Sequence, residues 1–241
     1  SRVNRQGTIE PPRFTDVEIG EPATVERMYQ NFVKANPDSI FNVSEFTELV
    51  EQYNEVLPNY PDVHDYYRVN RVLVVGETLP RDMYRDLNES ISMELRTLSA
   101  EKEVNVVVVA TDQPSMDYAY ALEYKWLGGK KNDVVVVMSL DESNTIQWIH
   151  SFGWSSTNQV YVNIEDSFTG ENFTVDGFTD DLTSIIRTSY NRQSFDEYQY
   201  LLDELSPPLW SIIIAFLLNI VVAVGLGIFF NFLTYNKCYF H

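Results

Sequence analysis

The chain has 241 residues, with 17 basic and 35 acidic side chains and a formal net charge of −18. Such a surface repels nucleic acid and anionic lipid headgroups, which excludes a nucleic-acid-binding role and leaves basic proteins or divalent cations as charge-matched partners. The single cysteine, Cys238, permits no intrachain disulfide, which argues against a disulfide-stapled ectodomain and for an organelle, a bacterial envelope or the cytosol.

Residues 1–22 lack hydrophobic periodicity and contain Pro11, Pro12 and Pro22, so an extended arm is expected. No leader pattern is visible at Ser1, which suits a processed form. A helical hairpin extension is expected over 23–66. Its first helix carries Val25, Met28, Tyr29, Phe32 and Val33 on one face. Its second carries Phe46, Leu49, Val50, Tyr53 and Leu57, with Ser44 as N-cap and Pro58 as stop. These apolar faces need a partner, either the following domain or a neighbouring subunit.

Residues 67–205 read as an α/β domain, a mixed sheet with helices on both faces. RVLVV (71–75) is a short strand, and Leu79–Glu101 is a helix with Met83, Leu87, Ile91, Leu95 and Leu98 as its buried stripe. The β-branched runs NVVVVAT (105–111) and VVVVMSL (134–140) suit strands buried on both faces, and between them lies a helix, Met116–Leu127, closed by Gly128-Gly129. A turn at Asp141–Asn144 leads to a hairpin partner at 145–152, VYVNI (160–164) is strand-like, and a long helix is expected over Asp180–Leu205.

Leu209–Leu233 is an apolar run without a charged residue, long enough to cross the ~30 Å hydrocarbon core, with Trp210 and Tyr235 where interfacial aromatics belong. A short tail, 234–241, follows. Lys237 beyond the run, against Asp203 and Glu204 before it, leads to the expectation of a large domain on the outer side (lumen, intermembrane space or periplasm), with a tail-anchored protein whose domain is cytosolic as the alternative. Within the span, Ser211, Ala215, Asn219, Ala223, Gly227 and Asn231 recur at every fourth position. This small-residue stripe suits close approach of a second transmembrane helix.

Several residue groups could carry chemistry. Asp112 follows a buried strand at the edge where open α/β sheets place ligands, and Asp117, Asp133, Asp141 and Glu142 could join it around Ca²⁺ or Mg²⁺. Phosphoryl chemistry would use Asp112 or Asp133 as nucleophile or metal ligand, with Lys130 and Lys131 as cations. Against this stand solvated turn carboxylates and a glycine-capped helix end with solvated lysines. His64 and His150 show no metal-ligand spacing. Three Asn-x-Ser/Thr triplets, at Asn42, Asn88 and Asn172, fit the glycosylation pattern in a number that an Asn-rich chain yields by chance.

From about Asn70 to about Tyr190 the order and texture of these segments resemble the TPM domain. That family includes a thylakoid-lumen acid phosphatase-like protein, a membrane-anchored photosystem II protection protein and the levamisole-receptor modulator. The most specific stretch is Trp126-Leu-Gly-Gly-Lys-Lys-Asn132, which looks like the family's tryptophan, glycine, lysine, asparagine turn. The chain departs from the family at Asp133, where glycine is usual, and at Ser151-Phe-Gly153-Trp154, where the family has glycine-tyrosine-glycine.

The expectation is a TPM-like accessory subunit without catalytic residues or cofactor. It would serve an integral membrane protein complex of a mitochondrial inner or thylakoid membrane and sit in the lipid bilayer through one span. The alternatives are a membrane-bound metal-dependent phosphatase and a receptor or channel modulator.

Overall fold

The computed structural model describes residues 44–61, 70–194, 198 and 207–238. The expected arm at 1–22, the first hairpin helix, His64 and Asn42 lie outside the described residues. The chain divides into two compact units, Ser1–Asp196 and Glu197–His241.

In the first unit, α1 (Ser44–Tyr53) precedes β1 (Val72–Val75), α2 (Arg81–Lys102), β2 (Asn105–Thr111), α3 (Asp117–Lys125), β3 (Asp133–Leu140), β4 (Ile146–Gly153), α4 (Gln159–Phe168) and α5 (Val175–Ser189). The strands form one mixed sheet in the order β1-β2-β3-β4, with the first three parallel and β4 antiparallel to β3. Every residue of β3 is buried, as its unbroken apolar run requires of a strand covered on both faces.

Alternation along the strands divides the core. Val106, Val108, Val134, Val136 and Ile149 face α2, α4 and α5, while Val107, Val109, Val135, Val137, Trp148 and Phe152 face α3 and α1. This arrangement has a topological consequence. The parallel strands β1, β2 and β3 are laid down in one direction, yet the connecting helices α2 and α3 cover opposite faces. Two such crossovers must have opposite hands, so one of them is left-handed, against a preference that nearly all β-α-β units obey.

Two expected elements are corrected. VYVNI (160–164) is helical, within α4: Val160, Ile164 and Phe168 fall four apart and bury one stripe, so helical spacing overrides the β-branched composition. The long helix expected from Asp180 instead begins at Val175 and ends at Ser189. Phe178, Leu182 and Ile186 form its core stripe, and Tyr190 turns to an extended conformation that buries its ring completely. The chain beyond it pairs with the loop after β4, where Ser156 N–H donates to the Asn191 carbonyl and Ser155 bridges Arg192.

The apolar face of α1 finds its partner within the domain. Phe46 stacks on Tyr124 at 5.6 Å, and Tyr53 meets Tyr118 edge-on at 5.7 Å. The segment after α1 is tied to the end of α3: Lys125 Nζ donates to the Leu57 carbonyl at 2.8 Å and Trp126 Nε1 to the Pro58 carbonyl at 3.0 Å.

The second unit contains α6 (Leu209–Cys238), 30 residues long, which continues past the expected end of the span at Leu233. Its apolar section, Leu209–Asn231, is 23 residues, or ~35 Å at helical rise, long enough to cross a bilayer. The large apolar side chains of this section are 45% to 73% exposed, consistent with a single-pass membrane protein.

Candidate functional site

Asp133 is the one carboxylate among the described residues that lies in the core, 2% exposed at the first position of β3. It pairs in register with Asn105 at the start of β2, while Arg71, immediately before β1, sits beside Val107, two positions further along β2, and its long side chain reaches Asn105 to complete one row of hydrogen-bonded side chains. Arg71 Nη1 donates to Asn105 Oδ1, and Asn105 Nδ2 donates to Asp133 Oδ1 at 2.9 Å. Tyr60 Oη donates to Asp133 Oδ2 at 2.6 Å, and the Lys130 backbone N–H reaches the same oxygen at 2.7 Å.

The turn after α3 supplies that last donor. Leu127, Gly128 and Gly129 all have positive φ, and at Gly129, with φ of 79°, an added Cβ would also come within 3.3 Å of Asp133 Oδ2. The Lys130 ammonium sits 4.3 Å from the centre of the Tyr60 ring, a cation–π contact over the phenol that Asp133 holds.

Burial raises the Asp133 carboxyl above its ordinary range. The hydrogen bonds from Asn105, Tyr60 and Lys130, together with the Lys130 charge, oppose that shift. Burial likewise raises the Tyr60 phenol, with Asp133 adding to the effect, and lowers Arg71, which Tyr60 and Asp133 partly counter. The row is an acceptor-centred tie that fastens the segment after α1 to the strand starts.

Asp112 lies at the other end of the sheet, one residue past β2. Its Oδ2 accepts from the Glu77 N–H at 3.3 Å and its Oδ1 from Gln113 Nε2 at 3.2 Å. The carboxylate fits against Gly76, whose φ of 82° and lack of a Cβ allow the approach. A full strand length, ~20 Å, separates Asp112 from Asp133, so the phosphoryl set of Asp112, Asp133, Lys130 and Lys131 does not converge.

Of the residues considered for a metal, Asp112, Asp117 and Glu142 are exposed. Asp141 spends its carboxylate on its own turn: Oδ1 accepts from Ser143 N, Ser143 Oγ and Thr145 N, each at 2.8 Å, and Oδ2 accepts from Gln147 Nε2. These bonds lower the Asp141 carboxyl, the Thr145 backbone bond being the largest contribution. Among the described residues no group of three or more His, Cys, Asp or Glu side chains is arranged to hold a metal ion.

Sequence reasoning missed a second polar cluster. His150 Nε2 lies 3.0 Å from Glu123 Oε2 of α3, and Nδ1 lies 3.0 Å from Glu165 Oε1 of α4. The same Glu165 oxygen accepts the Ser151 N–H at 2.9 Å. The carboxylates sit at opposite ring nitrogens, so the arrangement ties two helices across β4 instead of converging on one ion. The alternation Trp148, His150, Phe152 was the available signal that His150 faces α3.

On α6, the stripe residues Ser211, Ala215, Asn219, Ala223, Gly227 and Asn231 all lie within the helix. Ser211 Oγ donates to the Pro208 carbonyl, and Asn219 Nδ2 donates to the Ala215 carbonyl one turn back, each at 2.8 Å.

The chain matches no family model, no curated protein and no solved structure.

Proposed function

We propose that the protein is a non-catalytic accessory subunit of a larger integral membrane protein complex, held in the bilayer by one span with its acidic α/β domain at the membrane surface. The observation that carries this reading is the Leu209–Asn231 section of α6, apolar and exposed along its length, with small and polar residues aligned at every fourth position. Small residues let a neighbouring helix approach closely, and an Asn inside the bilayer gains from a partner, by ~0.6 kcal/mol on average.

α1 adds no support for an external partner, because its aromatic face is occupied by α3. The finer setting rests on the resemblance to the TPM domain. One setting is an energy-converting membrane, mitochondrial inner or thylakoid, with the domain on the intermembrane-space or lumenal side. The other is that of a receptor or channel modulator with its domain in an oxidising space, against which the lack of an intrachain disulfide counts.

Extraction from the source membrane in mild detergent, followed by native electrophoresis and mass spectrometry, tests the proposal. The expected result is migration within an assembly larger than the chain itself. Migration alone overturns it.

A further inference from the structure

Asn-x-Ser/Thr triplets are common by chance, and only a folded chain distinguishes those able to carry a sugar from those that cannot. Of the two within the described residues, Asn88 is already committed. It lies on α2, where its Oδ1 accepts the backbone N–H of Arg71 at 2.8 Å and of Val72 at 3.3 Å, holding the entry to β1 against the helix. A sugar at that amide would have to occupy the seam between α2 and β1.

Asn172-Phe173-Thr174 is built differently. The segment lies between α4 and α5 and is pinned alongside the start of β4 by its backbone: Ile146 N–H donates to the Glu171 carbonyl at 2.9 Å, Phe173 N–H to the Asn144 carbonyl at 2.7 Å, and Asn172 bridges Thr145. Extended backbone sends successive side chains to opposite sides. Phe173 is therefore buried at 3% exposure, its ring 5.4 Å from that of Phe178, while Asn172 and Thr174 are exposed on either side of it. The Asn172 amide makes no side-chain hydrogen bond among the described residues, and Thr174, at the N-cap position of α5, uses no side-chain cap bond.

We infer that Asn172 is an acceptor for N-linked oligosaccharide, and that the α/β domain is consequently presented to the lumen of the secretory pathway. The donor class is an oligosaccharide joined through its anomeric carbon to a polyisoprenyl pyrophosphate. Asn172 Nδ2 forms a bond to that carbon as the bond from carbon to pyrophosphate oxygen breaks. The amide gives up one proton, and the lipid pyrophosphate leaves carrying the electron pair and, in the overall balance, that proton. No oxidant or reductant is needed. In the folded domain the product's sugar points away from the core while Phe173 remains seated, so modification and folding are compatible. The inference rests on the outward orientation of the domain and selects the secretory setting over the energy-converting one.

The test uses the full-length protein from its own membranes, with Asn172→Gln, Thr174→Ser and Thr174→Ala variants expressed full length in the same cells. Each is read by mobility before and after peptide-N-glycosidase and by mass-spectrometric mapping. The native chain and Thr174→Ser should gain mobility on digestion, with Asn172 converted to Asp. Asn172→Gln and Thr174→Ala should each lack one mobility step before digestion. Unchanged mobility of the native chain, or a full shift that survives Asn172→Gln, overturns the inference. Native electrophoresis of the same extract reports separately on the accessory-subunit reading, so either can fail while the other stands.

Discussion

At the residue scale, the row from Arg71 to Asp133 has a direction. Arg71 can only donate, so it forces Asn105 to present Oδ1 to it and Nδ2 to Asp133, which must then accept. Asp133→Asn preserves the shape but cannot preserve that order, since one orientation opposes two amide NH₂ groups and the other leaves the Lys130 N–H facing a donor. We expect Asp133→Asn to lose about 1–3 kcal/mol in urea unfolding, the cost of orphaning a buried donor. Asp141 shows the opposite electrostatics. Its native carboxyl is lowered from the ordinary 3.8, so the stabilisation is present above that value and is lost as pH falls through the lowered one. Hydrogen exchange should therefore find the Ser143 and Thr145 amides protected down through the usual carboxylate range. In Asp141→Ala their protection should be low and independent of acid. The sequence marked both aspartates as candidates without distinguishing these environments, because Tyr60 and Asn105 lie 73 and 28 residues from Asp133 along the chain.

At the element scale, what could be read in advance followed the repeat of apolar residues. The two β-branched runs and the stripe Leu87, Ile91, Leu95, Leu98 announce β2, β3 and α2, since each repeats long enough to define its period. α4 was misread because its β-branched residues sit within a ten-residue segment, where composition and spacing conflict and packing beside β4 decides. The end of α5 was misread because burial of Tyr190 depends on a loop 35 residues earlier, pairing Ser155 with Asn191 and Arg192. The partner of α1 was equally invisible, although its aromatics announced that one was needed. Trp126 closes that seam, 7% exposed, with its ring 5.1 Å from Tyr60 and its indole N–H on Pro58. Trp126→Ala should cost about 3–5 kcal/mol and should make residues 44–61 sensitive to limited proteolysis at denaturant concentrations the native domain resists.

At the scale of the whole molecule, the α/β domain and α6 answer to different solvents, and substitutions should act on them separately. If the stripe on α6 contacts a neighbouring helix, Ala223→Leu with Gly227→Leu should release the protein from its assembly on a native gel and leave the domain's thermal unfolding unchanged. Unaltered co-migration would count against the stripe. The crossovers have a different kind of consequence. A single side chain can be exchanged without moving its neighbours, whereas the hand of a connection is a property of the whole β-α-β unit and of the face its helix covers. Opposite-handed crossovers between β1, β2 and β3 thus set the chain apart in topology from β-α-β-α-β sheets in which both connections have the usual hand, whatever side chains the two share.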